Sequence, residues 1–250
     1  MAEKQIAALR VSVNRLRDIA MTVDDLTEPA YPAQWSIADT LSHLGSGAVI
    51  LRRRLDDILA GQPTADDFAA GVWETWNAKS PGEQREDALA ADAALLARIE
   101  AVSPEQRSTF TMAMGPFTFD FPEFVGMRLN EHAFHTWDID VAGNPAATIP
   151  PQIAALVVYN LELVARFTGK PTGETRTLTV VTAGPERRFR VDLASDSVTF
   201  SPATDAGAAD LTLPAEAFAR LVYGRLDPGH ASPGARGPAL DILRDVFPGP

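Results

Sequence analysis

The sequence predicts an α+β protein, with a four-helix bundle over residues 1–148 and a small α+β domain over residues 149–250. Through the first region, apolar residues recur at spacings of three and four, which is the period of an amphipathic helix. After the stretch GNPAATIPP the pattern changes to a period of two, which is typical of half-buried strands. Four long helices in succession indicate an up-and-down bundle, and strands mixed with helices indicate an α+β domain.

Four segments of the first region carry the helical period. Ser36 with Asp39, and Asp120 with Glu123, form the capping-box pattern that begins a helix. Pro122 lies in the first turn of the last segment, where its missing N–H costs little. The predicted helices cover residues 4–22, 36–60, 82–102 and 120–142.

The second region begins with one helix predicted over residues 151–168. Near the end of this region, the sequence predicts a strand followed by a helix that stops at Gly224, and then a last short helix close to the C-terminus. Between them lie three period-two runs, which predict an antiparallel sheet: TRTLTVVTA, RRFRVDLA and SVTFSPA.

The chain has 250 residues, a formal charge of −11 and no cysteine. So acidic a protein is a poor partner for nucleic acid or an anionic membrane, because both are also negative. Without cysteine it can form neither a disulfide nor a thiol nucleophile of its own. The charged N-terminus lacks a signal peptide's apolar region, and no stretch approaches the roughly 20 apolar residues of a membrane span. We therefore expect a cytoplasmic protein.

The stretch NEHAFHTWDID concentrates titratable residues on the fourth predicted helix. Glu131, His135 and Asp138 share one helix face, because they are four and three residues apart. Glu131 and His135 could hold one divalent ion, and His43 on the second helix is the candidate third ligand. Three protein ligands leave a coordination position open, which is the catalytic arrangement. The alternative is a surface Glu–His pair and an unrelated, half-buried His43; finding all three inside apolar helices favours the metal site.

Other polar residues could support this site. His132 points away from Glu131, so we expect it beside the site or at a helix interface. Asp39 and Asp138 could orient the imidazoles, although the capping box explains Asp39 equally well. His230 lies in a Gly/Pro-rich segment and is expected in solvent.

The apolar neighbours of the candidate ligands are expected to be structural. We expect Trp35, Phe134 and Trp137 in the hydrophobic core, with the lining of a pocket as the alternative. Gly45 and Gly47 flank His43 inside a helix, where each costs roughly 1 kcal/mol relative to alanine. Their presence predicts that another group approaches the helix backbone closely.

Two helix motifs and the domain order carry a family resemblance. PAQWSIADTLSHLGSG, followed by MRLNEHAFHTWDIDVAG, resembles the mycothiol-dependent maleylpyruvate isomerase family of the DinB-like superfamily. The region from TLTVVTAGPERRFRVDL through ADLTLPAEAFARLVYGR resembles that family's C-terminal domain, which is similar to sterol-carrier folds. The resemblance implies a divalent metal, usually zinc, bound through His43, Glu131 and His135. It also implies mycothiol, an actinobacterial low-molecular-weight thiol, as cosubstrate, which agrees with the missing cysteines.

The resemblance implies an isomerase or a thiol S-transferase that acts on a small electrophile, which could carry a carboxylate. A thiol bound to a divalent ion is deprotonated near neutral pH. The thiolate can add to a conjugated cis double bond, the adduct can rotate, and elimination returns the trans isomer with the thiol. A transferase would release the adduct instead. The expected assembly is a monomer or a homodimer.

An anionic substrate needs a cation, and Arg225 is the candidate catalytic residue for that role, since arginine binds carboxylates in a bidentate manner. Its alternative role is a charge that complements the end of a helix. The run Arg52 to Arg54, about three turns beyond His43, is a second source of positive charge. Two other functions stay open: a non-catalytic binder with a structural metal and an apolar ligand in the C-terminal domain, or a metal hydrolase that activates water.

Overall fold

The computed structural model describes residues 1–115, 117–204, 207–233, 235 and 238–249. The chain divides into two compact units, Met1–Ala147 and Thr148–Pro250. The first unit is mainly helical and the second contains a four-stranded sheet, which confirms the predicted α+β class. Among the described residues, no helix combines the length and the apolar character needed to cross a membrane.

Four long helices form the first unit, as predicted. Helix α2 packs mainly on α4, α1 packs on α6 and α4, and α2 also contacts α6. Capping boxes begin α2 and α6 at the predicted residues, Ser36 with Asp39 and Asp120 with Glu123. The elements of this unit are α1 (Ala2–Ala20), α2 (Ile37–Leu59), α3 (Phe68–Asn77), α4 (Pro81–Glu100), α5 (Pro104–Thr109), β1 (Met112–Met114), β2 (Phe117–Phe119) and α6 (Phe121–Gly143).

Four short elements of this unit are absent from the prediction: α3, α5, β1 and β2. Helix α3 buries only Trp76 among its ten residues, so its apolar face is too small to produce a periodic signal. Helix α5 and the hairpin of β1 and β2 are shorter than the window in which a period can be recognised. These short elements depend on contacts with the long helices.

Because Gly45 has no side chain, α3 and α4 can pack closely against the backbone of α2. A Cβ atom at this position would lie 2.2 Å from Cη2 of Trp76 and 2.7 Å from Cα of Ala88. The predicted close approach to the α2 backbone is therefore real, and it comes from helix packing. Gly47 has more room, since its nearest neighbour is Nη1 of Arg128 at 3.4 Å.

Substitution of Gly45 by alanine is expected to lower the free energy of unfolding by about 1–3 kcal/mol, because the added methyl group overpacks the interface. The matched control is Gly71→Ala in α3, where nothing lies within 4 Å of the new Cβ. That change should stabilise the protein by up to about 1 kcal/mol through helix propensity. Urea denaturation of both variants checks the prediction, and equal stabilities would contradict it.

The second unit contains a mixed sheet in the order β5-β4-β3-β6. Its strands alternate between buried and more exposed residues, as their sequence period predicts. The single helix predicted over residues 151–168 is interrupted by a 3-10 turn at Val158–Asn160. The elements are α7 (Pro151–Val157), α8 (Leu161–Thr168), β3 (Arg176–Ala183), β4 (Arg187–Leu193), β5 (Val198–Pro202), β6 (Leu211–Pro214), α9 (Ala215–Val222) and α10 (Pro238–Val246).

The prediction of an antiparallel sheet is confirmed for its three runs, since β3 pairs with β4, and β4 with β5, in the antiparallel sense. It is wrong for the fourth strand, because β6 pairs with β3 in parallel and makes the sheet mixed. The alternation of apolar residues identifies a strand and its buried face, but it carries no information about the direction of the neighbouring strand.

Candidate metal centre

Helices α2 and α6 bring the three predicted ligand side chains together. Helix α2 carries His43, and α6 carries Glu131 and His135 one turn apart on one face. Oε2 of Glu131 lies 3.3 Å from Nε2 of His43 and 3.6 Å from Nε2 of His135. One possible ligand atom from each residue lies within 4.8 Å of the other two. The spacing suits one ion bound at about 2.0–2.2 Å from each ligand atom.

Glu131 gives the cluster a negative charge. Burial raises the pKa of Glu131, but hydrogen bonds and charge interactions with His135 and His43 outweigh it and place that pKa below its usual range. Glu131 is therefore an anion at neutral pH. The side chains of His43 and Glu131 are 41% and 45% exposed, so the cluster opens to solvent. Two imidazoles and one carboxylate form a donor set of the kind found in catalytic zinc sites.

Asp138 lies where an orienting acid would be expected. Its Oδ2 is 2.9 Å from Nδ1 of His135, and its side chain is buried. When Nδ1 donates to this carboxylate, Nε2 keeps its lone pair for a metal. Asp39 has a different environment: its carboxylate accepts from the backbone N–H and the hydroxyl of Ser36. Helix capping thus accounts for Asp39.

The assignment of Trp35 to the core is wrong. Its side chain is 40% exposed, whereas Phe134 and Trp137 are buried as predicted. The Trp35 ring lies 5.2 Å from the ring of His43 and 6.0 Å from that of His135, measured between centroids. Periodicity could not place it, because Trp35 precedes the N-cap of α2 and lies in a connection with no regular period.

His132 lies inside the bundle. Its Nδ1 is within hydrogen-bonding distance of the hydroxyls of Ser12 and Thr136, at 2.9 and 3.1 Å, and its Nε2 is 3.1 Å from Oδ2 of Asp92. The side chain is completely buried. His132 therefore joins α6 to α1 and α4, in agreement with the predicted helix-interface position.

Asp92 and Arg128 are buried partners that the sequence analysis missed. Arg128 forms an ion pair with Asp92, and its Nη2 also donates to the carbonyl of Leu44 at 3.0 Å. Burial raises the pKa of Asp92, but the positive charge of Arg128 and the interactions with His132 outweigh this effect and leave that pKa below its usual range. The sequence did contain a signal for this pair, because each of the two charged residues interrupts the apolar stripe of its helix, α4 for Asp92 and α6 for Arg128.

The arginines predicted to bind an anionic substrate, Arg225 and the run Arg52 to Arg54, belong to different units of the chain. Arg225 lies in the second unit, after Gly224, whose φ of 67° is in the left-handed region. Its side chain is buried, and Nη1 donates to the carbonyl of Tyr223 at 2.9 Å. Within the run Arg52 to Arg54, Arg53 pairs with Asp57, while Arg54 lines a cleft at the end of α2.

Known proteins share both the sequence pattern of the first unit and the fold of the chain. The family model described as the mycothiol maleylpyruvate isomerase N-terminal domain matches residues 9–140, which is more than half of the chain. Among curated proteins, no sequence is significantly similar.

Two crystal structures are similar over nearly the whole chain. One is the mycothiol-dependent maleylpyruvate isomerase and the other a histidine-to-alanine mutant of it. Both have a TM-score of 0.66, and each match covers 95% of this chain and 97% of the other, at 15% and 14% identity. At these identities the likeness shows the fold. Together with the family match, it confirms the resemblance seen in the sequence.

Proposed function

We propose that this chain, which belongs to the mycothiol maleylpyruvate isomerase family of enzymes, uses mycothiol and a divalent metal ion to isomerise a small conjugated electrophile. The observation that carries the proposal is the convergence of His43, Glu131 and His135. All three residues lie within the segment that matches the family model. Zn²⁺ is the ion that best suits this donor set.

A divalent ion at these residues would supply the positive charge that favours the thiolate form of a nearby thiol. The chain itself would provide ligands whose charge and orientation suit the ion before it binds. Glu131 provides an anionic oxygen, and Asp138 keeps His135 oriented through Nδ1. The chain has no cysteine, so the thiol must come from a cosubstrate.

The organic chemistry follows from a thiolate and a conjugated cis double bond. Sulfur forms a bond to one alkene carbon, and the π electrons move onto the conjugated carbonyl as an enolate. The former double bond is then a single bond and can rotate. Collapse of the enolate breaks the carbon–sulfur bond, which gives the trans alkene and returns the thiolate. If the enolate is protonated instead, the thioether is released and the enzyme acts as an S-transferase.

Arg225 is our candidate for a cation that binds a carboxylate of the substrate. Arginine suits this role because its planar guanidinium group keeps its positive charge and can bind a carboxylate in a bidentate manner.

Mycothiol is expected to stabilise the metal-loaded protein against heat. At a concentration 100-fold above its Kd, binding adds about 2.7 kcal/mol to the stability of the folded state. That gain corresponds to a rise of about 5–10 °C in Tm for a chain of this size. Scanning calorimetry with and without metal checks the result, and glutathione serves as the control thiol.

Two outcomes would contradict the proposal. If mycothiol does not change the Tm of the metal-loaded protein, mycothiol is not its cosubstrate. Hydrolysis of ester substrates without any thiol, lost on removal of the metal, would instead indicate the metal hydrolase. An isomerisation assay can begin with maleylpyruvate, the compound in the family's name.

A further inference from the structure

Trp35 contacts both candidate imidazole ligands without belonging to the ligand set. Its ring plane lies at 22° to that of His135, so the two rings are nearly parallel, and it meets the ring of His43 at 50°. The two imidazoles are themselves 4.6 Å apart, between centroids. The three rings therefore form one cluster, in which the indole lies against both histidines.

The connection that carries Trp35 is tied to the same helix as His135. The Trp35 carbonyl accepts from the N–H of Ala30 at 2.9 Å, and its own N–H donates to Pro32 at 3.2 Å. The N–H of Tyr31 donates to the carbonyl of Asp138, the residue whose carboxylate holds His135. One backbone hydrogen bond thus ties the connection to α6, and two within the connection fix the backbone at Trp35.

His43 has the greater need of such a support, because Asp138 already holds His135. The side chain of His43 is 41% exposed, and its contact with Glu131 is a long one at 3.3 Å. An exposed imidazole that samples several rotamers loses that freedom when it binds an ion, which weakens binding. A bulky neighbour that already restricts the ring reduces this cost.

We infer that Trp35 is a positioning residue for the metal centre: it restricts the imidazoles of His43 and His135 and shields one side of the ligand set from water. This inference rests on the proposed metal-dependent function. An apolar group beside a metal site also limits solvent access and lowers the local dielectric constant. Both effects favour binding of a cation by a charged ligand set.

Metal binding by Trp35 variants tests the inference, with Co²⁺ as the probe because its visible absorption reports the ligand geometry. Trp35→Ala is expected to raise the Kd for Co²⁺ about tenfold, as is usual when a residue that supports a metal ligand is removed. It should also change the absorption spectrum. Trp35→Phe, which keeps an aromatic wall, is expected to remain close to the wild type in both respects.

The matched control is Trp73→Ala. Trp73 is 53% exposed on α3, and its removal should leave the Kd and the spectrum unchanged. A second readout uses the folded Trp35→Phe protein: bound Co²⁺ should quench a larger fraction of the tryptophan fluorescence in the wild type than in this variant.

The outcomes of these experiments distinguish the positioning role of Trp35 from the proposed metal site itself. If the wild type binds Co²⁺ but Trp35→Ala binds it equally well with the same spectrum, the positioning role is overturned and the metal site stands. Equal fractional quenching in the wild type and Trp35→Phe would also overturn it. If the wild type binds neither Co²⁺ nor Zn²⁺, the proposed metal site fails, and the inference fails with it.

Discussion

Replacement of His43 by alanine is expected to lower the affinity of the chain for Zn²⁺ by more than about 100-fold, since even the loss of an outer hydrogen-bond partner costs 10- to 100-fold. His43 is the ligand candidate that α2 contributes, whereas Glu131 and His135 both come from α6. Its loss leaves two ligands on one helix, which hold a divalent ion poorly. Competition with a chromogenic chelator measures the affinity, and elemental analysis of untagged protein measures the bound metal.

His230→Ala is the matched control for this experiment. Like His43, His230 is partly exposed and has a carboxylate partner, Asp227, but it lies in the second unit. Its replacement should leave Zn²⁺ binding unchanged. The metal-free His43→Ala protein should unfold much like the metal-free wild type, because the His43 side chain is partly exposed. Retention of tight, stoichiometric Zn²⁺ by His43→Ala would contradict the assignment of the site.

Replacement of Arg128 by methionine is expected to lower the free energy of unfolding by about 3–5 kcal/mol, because it removes one partner of a buried ion pair. Both side chains of the Arg128–Asp92 pair are almost completely buried. Without Arg128, the carboxylate of Asp92 keeps His132 as its neighbour but loses a full positive charge. The carbonyl of Leu44 also loses a donor. Urea denaturation at neutral pH measures the change.

The control for Arg128→Met is Arg10→Met, since Arg10 pairs with Glu100 on the surface. Exposed pairs of this kind contribute about 0.2–1 kcal/mol. A double variant, Asp92→Leu with Arg128→Met, should recover part of the lost stability, because it removes the uncompensated charge. If Arg128→Met costs no more than Arg10→Met, the buried network does not support the bundle in the way we describe.

The buried network lies directly beside the candidate metal centre. Arg128 precedes Glu131 by three residues on α6, and its contact with α2 is made at Leu44, the residue after His43. His132 follows Glu131 and reaches α4 through Asp92. The same residues that stabilise the bundle therefore also set the alignment of α2 and α6, on which the approach of His43 to Glu131 depends.

Local patterns were sufficient for the long helices and for the candidate ligands. An apolar stripe with a period of 3.6 residues identifies a helix wherever it forms, and a capping box marks its start through contacts three residues apart. The alignment of Glu131 and His135 on one face likewise follows from helix geometry alone. His43 was the candidate third ligand because it lies in the middle of a predicted helix, beside its apolar stripe, and the family resemblance implies the same residue.

The sequence by itself determined the four long helices of the first unit, the strands of the four-stranded sheet, their buried faces, and the chemical types that could bind a metal. These features depend on residues close together along the chain. Only the tertiary structure decided that Asp92 and Arg128 form a buried pair, that Trp35 lies against the imidazoles and that β6 runs parallel to β3. Each of these contacts joins residues that are distant along the chain or lie outside regular helix periodicity. Packing of whole elements therefore selects the partner in each case, and no local spacing specifies it.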